Sequence, residues 1–176
     1  VQCGVGRSGT LFAHEHYAIE PDVMAIAKGL GGGFPVGACL ANEAVSSIMQ
    51  FGSHGSTFGG NPLAMAVADA VLDLVLEPSL LKDVNSKASF LVKELEALTI
   101  KYPQSISSVH GLGLMLGVKC VGENTKLLLE LREHGLLVGK SGDNMIRLLP
   151  PLNVSQAELE RALTLIETVL QNTEVT

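Results

Sequence analysis

Lys28 stands in the run Ala27-Lys28-Gly29-Leu30-Gly31-Gly32-Gly33. An amine becomes a nucleophile when desolvation or a neighbouring cation leaves part of it neutral at working pH. The glycines beside it leave room for a flat molecule to approach. The competing reading is a helix-end cation ahead of a glycine cap, and these seven residues alone favour it. A second candidate is the loop His54-Gly55-Ser56-Thr57-Phe58-Gly59-Gly60-Asn61-Pro62. Its hydroxyls, backbone amides and following helix start are the ingredients of a phosphate cradle. A polar loop ending in a helix cap accounts for it equally well. The third is Arg147, in Met145-Ile146-Arg147-Leu148-Leu149 ahead of Pro150-Pro151. A charge in so apolar a strand faces solvent or an anion, and a planar guanidinium suits a carboxylate in two parallel hydrogen bonds. An edge-strand surface arginine is the plainer alternative.

Other patterns are set aside. Gly4-Val5-Gly6-Arg7-Ser8-Gly9 fits G-x-G-x-x-G, but only three residues precede it and no clear helix follows, so the dinucleotide fingerprint is rejected. The histidines have no metal-ligand spacing. Cys3, Cys39 and Cys120 read as small buried hydrophobes. No metal is expected.

These candidates need elements to hold them. Val23 to Ala27 and Phe34 to Ala41 have strand length, and Glu43 to Phe51 reads as a short helix. Asn61-Pro62 is a helix start, cap followed by proline, and apolar residues at helical spacing run from Ala64 to Val75. Glu77-Pro78-Ser79 breaks that helix and marks a domain boundary. A second amphipathic helix covers 80 to 98. Beyond it the pattern turns to α+β. Strands are expected at 106–110, 112–120, 136–138 and 145–149, a helix at 127–134 capped by Gly135, and a last helix opened by Ser155 with Glu158 as its capping-box partner.

Composition narrows the class. Hydrophobic residues make up 47% and charged residues 17% of 176, enough to build a core and too little charge for disorder. The net charge of -6 and an aromatic share of 4% speak against a nucleic-acid surface. No apolar run reaches membrane-span length. Three widely spaced cysteines suit a reducing compartment, so a cytoplasmic protein without nucleic-acid or membrane partners is expected.

Four segments in this order resemble the class III (fold type I) aminotransferases: Val1-Gln2-Cys3-Gly4-Val5-Gly6-Arg7-Ser8-Gly9, Glu20-Pro21-Asp22 with Ala27 to Gly33, His54 to Pro62, and Ile146 to Pro151. The resemblance spans essentially the whole chain. It implies an α/β fold in which residues 1–77 are the last part of the large cofactor domain and 78–176 the small C-terminal α+β domain. It also implies pyridoxal 5'-phosphate as cofactor and a homodimer. Lys28 would form the carbon–nitrogen double bond to the cofactor aldehyde and then act as general acid and base. Val1 would pack on one face of the pyridine ring, and Gln2 would hydrogen-bond near its phenolic oxygen. Thr57, with Ser56 beside it, would bind the cofactor phosphate of the neighbouring subunit, and Arg147 would hold the substrate α-carboxylate. The branch most similar exchanges an amino group between N-acetylornithine and 2-oxoglutarate, in arginine biosynthesis. Members acting on ornithine, 4-aminobutyrate or succinyl-diaminopimelate, aminomutases, and a piece serving only in assembly are the alternatives. Ser8 stands where the family usually has Thr. The family's aspartate for the pyridine nitrogen would fall two residues before Val1, so this chain by itself is expected to be inactive or nearly so.

Overall fold

Val23–Ile26 forms strand β1 and Ala38–Ala41 strand β2, an antiparallel pair with Val23 opposite Ala41 and Ile26 opposite Ala38, in the computed structural model, which describes residues 1–173. The second strand is shorter than its apolar run. Phe34 N–H is spent on a turn bond to the Gly31 carbonyl at 2.8 Å, and Pro35 has no N–H to give a ladder. Helix α1, Glu43–Ser46, is a single turn where a longer helix was expected. Asn42 caps it, accepting from Val45 N at 3.0 Å, but Ser46 and Ser47 donate back to the Glu43 and Ala44 carbonyls. Such back-bonding competes with helix continuation.

Helix α2, Pro62–Leu76, begins as its sequence predicts: Asn61 Oδ1 accepts from Ala64 N at 2.9 Å and Pro62 fills the first position. Its Ala68 and Val75 join Val5, Ile26 and Leu30 in a small core. The chain divides into two compact units, Val1–Leu81 and Lys82–Thr176, and helix α3, Pro78–Lys101, runs from the first into the second.

The second unit is built on a four-stranded antiparallel sheet. Its strands are β3 (Ile106–Leu112), β4 (Met115–Cys120), β5 (Gly139–Ser141) and β6 (Met145–Leu148), in the order β3-β4-β6-β5. Burial alternates along β4 and β6: Leu116, Val118, Cys120, Ile146 and Leu148 are buried. They share one core with α3, α4 (Asn124–Glu133) and α5 (Gln156–Thr173), through Leu91, Leu95, Leu131, Ile166 and Leu170. The period of two in the strands puts Met115, Gly117, Lys119, Met145 and Arg147 on the opposite face. Burial of each large aliphatic side chain contributes about 1.5–3 kcal/mol.

Two turns set the registers. Gly111 has φ +127° and its missing Cβ would stand 2.1 Å from the Met115 carbonyl oxygen, so only glycine fits where β3 and β4 approach. Between β5 and β6, Asp143 and Asn144 are both left-handed, at φ +55° and +53°, the backbone a tight hairpin demands. Strand β5 starts at Gly139, not at Leu136. Leu136 N–H is drawn back to the Leu131 carbonyl at 2.9 Å and Gly135 N–H to Arg132 at 3.0 Å, the double bond that stops α4. Ser155 and Glu158 form the expected capping box: Ser155 N donates to Glu158 Oε2 at 2.7 Å and Glu158 N to Ser155 Oγ at 3.3 Å. The Ser155 N–H, and then the Ser155 hydroxyl donating to the same Oε2 at 2.7 Å, hold Glu158 below the usual carboxylate range.

Candidate functional site

Strand β1 is followed by extended Ala27, and the next residue, Lys28, turns left-handed at φ +50°. A short 3-10 turn, Lys28–Gly31, follows and is closed by Gly32. Bonds from Leu30 N to Ala27 O (3.1 Å) and from Gly32 N to Gly29 O (3.1 Å) tie it. Leu30 is buried in the small core while Lys28 is exposed. A helix-end lysine would have right-handed backbone. A left-handed non-glycine residue costs roughly 1–2 kcal/mol, and such strain gathers where function fixes a side chain's direction.

Val1 comes to the same strand, with Gln2 next to it in sequence. The nitrogen of Val1 donates to the Ala25 carbonyl at 3.2 Å, which lays the first residues beside β1. The following loop is braced from inside. Ser8 is buried, and its Oγ donates to the Cys3 carbonyl at 3.0 Å. A ring N–H of His16 reaches the Ser8 carbonyl at 2.9 Å, and Thr10 Oγ1 donates to Phe12 O at 2.8 Å. Burial also pushes the Arg7 guanidinium down from its usual pKa.

Ser56 and Thr57 lie on the exposed loop before α2. Ser56 Oγ accepts from Gly59 N at 3.0 Å, and Asn61 Nδ2 donates to the Phe58 carbonyl at 2.9 Å. The cap of α2 therefore also shapes the loop. Ideal Cβ atoms on Gly55 and Gly60 would meet nothing within 4 Å, so the loop's backbone is open to a ligand.

Arg147 belongs to the second unit. It lies on β6, an interior strand rather than the edge, and is half-buried. Its register partners are Gly117 on one side and Gly139 on the other. Sequence reasoning missed Gly139. It falls just beyond the strand expected at 136–138 and opens β5 instead, so no strand-interior glycine was there to be read.

The residues present fit pyridoxal phosphate by their donor set: an outward amine for an aldehyde, and hydroxyls with open backbone for a phosphate. Among the described residues no three His, Cys, Asp or Glu side chains gather to hold a metal ion, and no helix is long and apolar enough to cross a membrane.

Comparison with known proteins gives the family. The family model "Aminotransferase class-III" matches residues 1–170. The chain is 55% identical over 166 residues to an acetylornithine aminotransferase of Mesorhizobium japonicum, which covers 94% of this chain and 42% of that protein. The crystal structure of acetylornithine aminotransferase from Elizabethkingia anophelis matches 98% of this chain and 44% of its own, at TM-score 0.89 and 37% identity. An ornithine aminotransferase from Toxoplasma gondii, described with partial occupancy of PLP at its active site, matches 99% of this chain and 42% of its own, at TM-score 0.87 and 29% identity. The chain thus spans somewhat over two fifths of the length of the relatives it matches. With a family model over nearly its whole length and the same fold as solved members, the chain belongs to the class III aminotransferases, a family dependent on pyridoxal phosphate.

Proposed function

We propose that the full gene product uses pyridoxal 5'-phosphate to move an amino group between an amino acid and a 2-oxo acid, N-acetylornithine and 2-oxoglutarate being the pair. The observation that carries this reading is Lys28: an exposed amine on a left-handed turn at the end of β1, with Gly29, Gly31 and Gly32 following. The substrate pair is supported by relatives named acetylornithine aminotransferase at 45–55% identity.

Bound pyridoxal phosphate supplies an electron-withdrawing ring that stabilises negative charge beside the amino carbon. The chain's own residues do the rest. Lys28 would hold the cofactor through Nζ, and its amine would hold and move a proton at the substrate's amino carbon. Val1 covers one ring face and Gln2 hydrogen-bonds at the ring oxygen. Ser56 and Thr57 offer hydroxyls to the phosphate of a second subunit, which makes the working form a homodimer. Arg147 orients the substrate by its α-carboxylate. In this reading residues 1–77 are part of the cofactor domain, 78–176 form the small domain, and the enzyme works in the cytoplasm.

Borohydride reduction of the full gene product with pyridoxal phosphate, followed by peptide mapping, tests it. The label is expected on Lys28; labelling spread over surface lysines overturns the assignment. Competition between N-acetylornithine, ornithine and 4-aminobutyrate as donors then tests the substrate, and a preference for either of the last two refutes the pair named above.

A further inference from the structure

Val5 is a β-branched residue with φ +55°, a backbone region such residues almost never enter. It is 2% exposed and lies in the small core with Ile26 and Leu30, which bracket Lys28 in sequence. Its neighbours do not relieve the strain. Gly6 N–H bonds to the Leu11 carbonyl at 3.2 Å, and Arg7 N–H to Gly4 at 3.4 Å, so the loop holds Val5 in place. The contact that matters is with Gly29. A Cβ on Gly29 would stand 3.3 Å from Val5 Cβ and 3.8 Å from both Val5 Cγ1 and the Val5 carbonyl oxygen. Gly29 carries no left-handed φ, so its backbone does not demand glycine; the nearness of Val5 explains it.

We propose that Val5 is a positioning residue for Lys28, acting through Gly29. Val5 and Lys28 are both left-handed and not glycine, they lie on different segments, and Val5 packs on the residue that follows Lys28. Relaxing Lys28 to an ordinary backbone would move the Gly29 peptide, on which the Val5 side chain packs. Close-packed contacts of this kind resist continuous deformation. Val5 thereby fixes the direction in which the Lys28 amine leaves the turn. The inference rests on the tethering role of Lys28 given above.

The test uses the full gene product loaded with pyridoxal phosphate and follows the cofactor's absorbance band against pH. Val5→Ala keeps an L-residue in the strained position but removes the methyls that pack on Gly29. It is expected to move the midpoint of the band by about half a pH unit or more, and to lower kcat about tenfold while KM stays within about twofold. Val75→Ala removes the same two methyls from the same core on α2 and serves as the control for packing loss; it is expected to leave the midpoint in place. Gly29→Ala presses one methyl against Val5 and is expected to shift the midpoint as well. The double variant is expected to recover about half of the shift or more, because the added methyl fills the space vacated by the other two. Equal effects of Val5→Ala and Val75→Ala, strictly additive single variants, or an unmoved midpoint in Gly29→Ala overturn the inference. Should Val5→Ala fail to fold, Gly29→Ala alone decides. If the unsubstituted protein carries no label on Lys28 after borohydride reduction, the tethering role itself falls, and that failure is seen before any variant is compared.

Discussion

The guanidinium of Arg147 lies against the bare backbone of Gly139: a Cβ there would stand 3.6 Å from both Nε and Nη2. The two residues are register partners on β6 and β5. The other register partner, Gly117, also lacks a side chain, although Met145 Sδ covers it at 3.0 Å from the would-be Cβ. The fork thus lies low across the edge strand, with its direction set by the strand on which it rests. Arg147→Ala in the full gene product should weaken amino-acid and dicarboxylate substrates alike, by about 2–5 kcal/mol, the range for breaking one partner of a charged pair. Arg147→Lys should restore little, because a point charge cannot reproduce two parallel bonds. Steady-state KM values for donor and acceptor, measured side by side, check this; unchanged values for both refute the carboxylate role.

Asn144 joins three segments of the second unit. Its Nδ2 donates to the Cys120 carbonyl at 2.9 Å and to Gly122 at 2.7 Å, and its Oδ1 accepts from Asn124 N at 2.9 Å. Asn124 in turn donates to the Met145 carbonyl at 3.0 Å. The residue is also left-handed, a conformation asparagine tolerates better than most. Asn144→Ala loses three bonds and adds backbone strain, an expected destabilisation of about 2–4 kcal/mol. Asn144→Gly should cost roughly 1 kcal/mol less, since it keeps the turn and loses only the bonds. Urea unfolding of the two variants separates the contributions. Equal midpoints would show that the turn backbone carries no strain.

The pairing of α3 with α5 should give stability a recognisable pH profile. Lys101 Nζ donates to Glu167 Oε1 at 2.5 Å, and Tyr102 Oη reaches the same oxygen at 3.3 Å. The ammonium holds Glu167 below the usual carboxylate range, and the Glu167 carboxylate, then Tyr102, raises Lys101 above the usual amine. The signs follow from linkage. A depressed carboxylate stabilises the fold above its unfolded value, about 4.3, and that contribution is lost as pH falls through the lower folded value. A raised amine stabilises below its unfolded value, about 10.4, and that contribution is lost as pH rises through the higher folded value. Both contributions are complete between those limits. Thermal melts of Glu167→Gln across pH should flatten both limbs relative to the unsubstituted protein. The pair is exposed, so the effect should be small and should shrink with added salt. A salt-independent difference would argue for packing instead.

How far the sequence reaches can be judged residue by residue. The Asn61-Pro62 helix start, the Ser155–Glu158 box and the Gly135 stop were legible because each rests on bonds within a few residues. Where local chemistry competed, the sequence was less reliable. The short α1, the late start of β2 and the shift of β5 to Gly139 depend on which carbonyl or N–H is spent first, and apolar periodicity does not register that. For Lys28, residue types alone favoured a helix-end cation. Only the order of several motifs along the chain pointed to a tethering amine; the left-handed backbone at Lys28 is a feature that residue types did not register.

By itself, the sequence determined the kinds of chemistry present: an amine among glycines, a hydroxyl-bearing loop ahead of a capped helix, and a fork in an apolar strand. Those are properties of side chains and of neighbours a few residues away. Only the tertiary structure decided that Val5 packs against Gly29 and that Arg147 rests on Gly139. The first contact joins segments far apart in the chain, the second crosses the β5–β6 hairpin, and both turn on side chains that are absent. Spacing along a sequence carries no record of which segment fills the room a glycine leaves.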